Sequence, residues 1–436
     1  MVWRMAKRGR LIAMIFVSIA ILFLAFGLPV TANGSQNSGQ NNTAGYVKYT
    51  LDLVNNTLIN GNFVNTHNAL EPFGIAYDPS NGYIYVTDYG SGCVSVINGT
   101  TNTVIATIPV GIWPTGVAYD PSYGYIYVTN TLSDTVSVIN GTTVIANITV
   151  GRGPVWVAYD PSNGYIYVVD YGSDTVSVID GITVIATVHV GSCPEGVAYD
   201  PSNGYIYVTN HGSDTVSVIN GTTVIANITV GAVPKGVAYD PSNGYIYVTN
   251  TLSDTVSVIN GTTVIANITV GRGPEGVAYD PSNGYIYVAN HGLTGTVSVI
   301  DGITVIANIT VGSCPEGVAY DPSNGYIYVT NHGSDTVSVI NGTTVIANIT
   351  VGRGPEGVAY DPSNEYIYVT NFASGTVSII STSVSTSSTS ISSVTAPTTS
   401  TSTKPTPSVV STLVVVVVVV VVVLIVALLM IKRRKP

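Results

Sequence analysis

The chain has 436 residues, of which 9% are charged, with 14 Lys and Arg against 24 Asp and Glu for a formal net charge of −10. That balance argues against a general nucleic-acid binder, which needs a basic face to meet phosphates. The 45% of hydrophobic residues and 29 tyrosines exclude a charge-rich disordered chain, and three cysteines cannot build a disulfide framework. Abundant Val, Ile, Thr, Tyr, Gly and Asn make a strand-and-turn composition, so the fold class expected is all-β.

Residues 1–32 join Arg4, Lys7, Arg8 and Arg10 to an apolar run that ends in Val30-Thr31-Ala32. Charge, apolar run and small-residue exit make a signal peptide, and the length of the run also suits an uncleaved signal anchor. Residues 33–45 read as a polar linker.

Residues 46–380 hold a tandem repeat. The string AYDPS occurs eight times, its aspartates stepping by 40 to 42 residues from Asp78 to Asp361. A period near 40 built from β-type residues predicts a β-propeller of four-stranded antiparallel blades, eight in number, with a seven-bladed ring plus one odd unit as the alternative. One period, 194–231, gives strand one as GVAY, a DPSNG turn, strand two as YIYVT, a looser loop, strand three as TVSVI, an Asn-Gly hairpin turn and strand four as TVIANITV. Strand two is read with Tyr on one face and Ile or Val on the other, the tyrosines packing between blades. The eighth period lacks a fourth strand. Segment 46–64 resembles strands three and four, and its part from Leu58 to Val64 is expected to complete that blade and close the ring.

Residues 381–412 are rich in Ser, Thr and Pro and read as a stalk. Residues 413–431 are 19 apolar residues with ten consecutive valines, long enough at ~1.5 Å per residue to cross most of a ~30 Å hydrocarbon core. The basic tail 432–436 then marks the cytoplasmic side, which places 46–380 outside the membrane.

The motif YIYVTN, at 205–210 and recurring along the chain, resembles the YVTN-type β-propeller repeat family. The resemblance covers about 73–380. It implies a cell-surface or surface-layer protein of archaeal type, and relatives of the family include lactonase-like enzymes.

In a propeller the loops after strands two and four share one face, and here the repeats differ. Arg152, Arg272, Arg353, Glu195, Glu275, Glu316, Glu356, His211, His291 and His332 are the candidate ligand-binding residues on that face, beside Lys235, Cys193 and Cys314 and the aspartates 134, 174, 214, 254 and 335. These residues lie on different blades without zinc-type spacing, so no metal is assigned, and no cofactor and no catalytic set either. Asn-x-Ser/Thr sequons at Asn98, Asn140, Asn147, Asn220, Asn227, Asn260, Asn267, Asn308, Asn341 and Asn348 are candidate glycosylation sites on an exterior domain.

The function expected is that of a membrane-anchored extracellular scaffold, adhesion or ligand-binding protein. Its partners would be the membrane and cell-envelope proteins or glycans, not nucleic acid. The alternative is an extracellular lactonase or hydrolase working at the channel mouth. All 24 acids but only five basic residues fall within 46–381, so few ion pairs are expected and an acidic habitat suits the domain.

Overall fold

A computed structural model describes residues 46–52, 57–59 and 70–381. The expected leader, linker, stalk from residue 382, apolar span and basic tail lie outside the described residues. Among the described residues no helix is long and apolar enough to cross a membrane.

The repeats form an eight-bladed β-propeller. Seven sheets are four-stranded meanders of consecutive strands, and the eighth combines strands from both ends of the chain. In blade four the strands are Pro194–Asp200, Tyr205–Asn210, Thr215–Asn220 and Thr223–Thr229. First strands lie side by side around the channel, the first strand of blade eight meeting that of blade one. Fourth strands are outermost and alternate between exposed and covered residues.

Strand two departs from its expected two-faced pattern. Its Tyr207, Ile206 and Val208 are all buried, because a blade packs against a neighbour on each face. Each apolar cluster accordingly spans two blades: Tyr207, Val216, Val218 and Ile228 of blade four meet Ile246, Val248 and Ile259 of blade five. The Tyr207 hydroxyl donates to Gly261 O at 2.9 Å, in the next blade's hairpin turn, so the same ring packs and pins the seam.

The AYDPS aspartates belong to the turns. Asp200 is buried and accepts from the Ser202 amide at 2.8 Å and from Asn203 Nδ2 at 2.7 Å, and Asn203 also reaches the Tyr207 hydroxyl at 3.2 Å.

Ring closure corrects the expected strand. Tyr46–Asp52, not the segment from Leu58 to Val64, pairs antiparallel with Thr376–Ser381 and supplies the fourth strand of blade eight. Thr57–Ile59 then adds a fifth. The third strand of blade eight already comes from the C-terminal repeat, so the first strand to arrive takes the fourth place. Tyr368 seals the seam to blade one by donating to Asn102 Oδ1 at 2.6 Å.

Candidate functional site

The channel mouth is built from the residue that follows the strand-one proline. Around the ring that position holds Phe73, Thr115, Val155, Glu195, Lys235, Glu275, Glu316 and Glu356. The next position is Gly in seven blades. It must be Gly because neighbouring first strands approach closely: a Cβ on Gly196 would lie 2.2 Å from Lys235 O. A Thr latch accompanies it, with Thr209 Oγ1 accepting from the Gly196 amide at 2.7 Å and donating to Lys235 O at 2.7 Å.

Blade three breaks both halves of this device. Trp156 stands in the Gly position and Val169 in the Thr position. Trp156 pairs directly with Val169 in the ladder, and its indole projects, 41% exposed, into the mouth. Blade six has Ala289 in place of Thr but keeps Gly276.

The mouth is therefore two-sided around a cavity of about 610 Å³ lined by Phe73, Trp156, Lys235 and the four glutamates. One wall is aromatic. Phe73 lies 6.1 Å from Trp156 and 6.3 Å from Phe372, and Tyr89 stacks on Trp113 at 5.1 Å. The other wall is acidic and imidazole-bearing. Lys235 Nζ meets Glu275 Oε1 at 3.0 Å, and His211 Nδ1 lies 3.9 Å from Glu195 Oε2. His291 Nε2 is 3.0 Å from Glu316 Oε1, and His332 Nδ1 is 2.8 Å from Glu356 Oε1 and 3.9 Å from Glu316 Oε2.

Burial holds Glu195 above the usual carboxylate range, against the pull of Lys235 and His211. Burial and the adjacent Glu356 push Glu316 up as well, and burial raises Glu356. Burial disfavours the Lys235 charge, but Glu275 and Glu195 outweigh it and its pKa stands above the ordinary lysine value.

The sequence candidates thus separate. The glutamates line the cavity and the histidines ring them, whereas Arg152, Arg272 and Arg353 stay exposed in the loops after strand four. The loop aspartates are structural: Asp134, Asp214 and Asp335 accept from the amides of Gly153, Val233 and Gly354. Cys93, Cys193 and Cys314 are free. The aromatic wall of Phe73, Tyr89, Trp113, Trp156 and Phe372 was not among the candidates, although its signal was present in the departures of blades one, three and eight from the repeat.

Of the glycosylation candidates, Asn98 is half-buried and the other nine are exposed. The strand-four asparagines also have a structural partner. Asn147 Oδ1 accepts from the buried Ser137 hydroxyl at 2.7 Å, and Asn227, Asn267, Asn308 and Asn348 repeat the bond.

No family model and no curated protein matches the chain. Solved structures do. Hydrazine synthase of Kuenenia stuttgartiensis matches at 21% identity and a TM-score of 0.53, over 75% of this chain and 99% of that one. A virginiamycin B lyase of Staphylococcus aureus solved with quinupristin matches at 14% and 0.51, over 73% and 98%. The dihydro-heme d1 dehydrogenase NirN matches at 14% and 0.56, over 80% and 77%. These likenesses carry the propeller fold alone, and no reaction passes from the enzymes among them to this chain.

Proposed function

We propose that the chain is a membrane-tethered extracellular binding protein, of the archaeal surface type that the YVTN resemblance implies, with its ligand site at the channel mouth. The apolar segments 1–32 and 413–431, the stalk and the exposed sequons support the placement. One observation carries the binding role: blade three gives up the Gly–Thr latch that neighbouring blades use and sets Trp156 opposite the glutamates. A scaffold of near-identical blades has no need of that break.

The ligand class follows from the two walls. An apolar or aromatic part lies against Phe73 and Trp156, and a positively charged end faces the carboxylates. Two of the three tryptophans, Trp113 and Trp156, sit at this mouth, so fluorescence reports on it. Titration of the full-length protein with benzyltrimethylammonium should give saturable quenching that is lost in Glu195→Thr. Quenching that never saturates contradicts the site. Labelling of intact cells with a membrane-impermeant amine reagent should reach Lys235, and protection of that lysine until lysis contradicts the placement.

A further inference from the structure

We propose that Glu316, His332 and Glu356 form a site for one divalent transition cation of the zinc or manganese kind, at the seam of blades seven and eight. One ligand atom from each lies within 4.8 Å of the other two, and all three residues are half-buried. Donors around a tetrahedral zinc sit about 3.4 Å apart, given bonds of ~2.0–2.2 Å. The distances of 2.8 and 3.9 Å from His332 Nδ1 to the two carboxylates bracket that value.

A second observation points the same way. His332 Nδ1 is shut off from solvent and, though 2.8 Å from Glu356 Oε1, is not aligned to hydrogen-bond with it. The ring nitrogen therefore has a close neighbour without a bond, the arrangement that a cation bound beside both atoms resolves. The nearby Lys235 is committed to Glu275 and does not supply the charge.

The surroundings are those of a built site. His291 Nε2 holds Glu316 Oε1 at 3.0 Å and leaves Oε2 turned toward His332, the outer support that ligating carboxylates usually have. One imidazole with two carboxylates suits zinc or manganese better than calcium or magnesium, which favour all-oxygen sets. Three protein ligands leave a coordination position open to the channel. The repeat puts Glu275, His291 and Glu316 at the equivalent places one blade earlier, whereas blade two carries Thr115 and Thr131 there; among the described residues only Glu316, His332 and Glu356 bring three ligand atoms within 4.8 Å of one another.

This site goes beyond the proposed binding of an organic cation, and its test contains none, so the two readings fail separately. Full-length protein stripped with chelator is dialysed against zinc chloride, and separately manganese chloride, and bound metal is counted. One ion per chain is expected, lost in His332→Thr and in Glu356→Thr, with far-UV circular dichroism confirming that both fold; threonine already occupies these places in blade two. His291→Thr should weaken binding about tenfold. His189→Thr, on an exposed outer strand, should bind as the parent does. Absence of saturable binding of either metal, or stoichiometric binding that survives both ligand substitutions, overturns the proposal.

Discussion

Six blades end strand two in Asn, whereas blades one and three end it in Asp88 and Asp170. The exchange is matched across the blade. In the Asn blades Asn130 Nδ2 donates to Ser137, which donates on to Asn147; in the Asp blades Ser95 and Ser177 donate back to the carboxylate, and strand four carries Thr107 and Thr187 instead of an acceptor Asn. Burial pushes Asp88 up to about 7 and Asp170 to about 6, opposed by the Ser95 hydroxyl and by Ser177 and Thr175. Both folded pKa values exceed the unfolded value near 3.9, so the native state keeps protons that the unfolded chain loses. The stability these two carboxyls contribute is thus fully present below about pH 4 and falls as pH rises through 6 and 7. The paired substitutions Asp88→Asn with Thr107→Asn, and Asp170→Asn with Thr187→Asn, should raise the melting temperature at pH 7.5, leave it nearly unchanged at pH 4, and flatten the profile between. A parent protein whose stability rises from pH 4 to 7 would show that these carboxyls do not govern it.

The strand Tyr46–Asp52 ties the two ends of the described chain together, because it supplies the fourth strand of blade eight. Leu51 is fully buried between blades eight and one, packed with Ile84, Ile97 and Ile379. Leu51→Ala should therefore cost about 2–5 kcal/mol, read as a lower midpoint in chemical denaturation. A change below 0.5 kcal/mol would mean that another strand closes the blade. The need for an N-terminal strand was legible in the sequence, since the eighth repeat stops after strand three. Which strand was not, because neither 46–52 nor 58–64 alternates cleanly and only the pairing to Thr376–Ser381 distinguishes them. The mouth loops show the same division between pattern and space. Val233 adopts φ of 58°, where blades three, six and eight place Gly153, Gly273 and Gly354, and a β-branched residue is strained there. Val233→Gly should raise stability by about 0.5–1 kcal/mol, and a loss of stability would show that the Val side chain packs usefully.

Across the whole molecule the repeat made the propeller, the blade count and the turn role of Asp78 and its equivalents readable, because each follows from a pattern recurring every 40 residues or so. The site was readable only in part. The glutamates and histidines recur at two variable positions of the repeat and so were legible, but the meeting of Glu316, His332 and Glu356 depends on the ring bringing their ligand atoms within 4.8 Å. Trp156 with Val169 was missed because each alone looks like a tolerated apolar change, and only the close approach of first strands reveals what the pair gives up. The proposed binding role has blade three forgo stability to make its mouth, as functional sites commonly do. It is tested most directly by thermal unfolding of the parent and of the Trp156→Gly/Val169→Thr variant as benzyltrimethylammonium is raised. The variant should start higher by roughly 2 °C, from about 1–2 kcal/mol of restored latch hydrogen bonding, and should not respond to the ligand. The parent should climb with ligand concentration. A variant that starts lower than the parent, or equal ligand responses in the two proteins, would show that Trp156 and Val169 do not trade stability for binding.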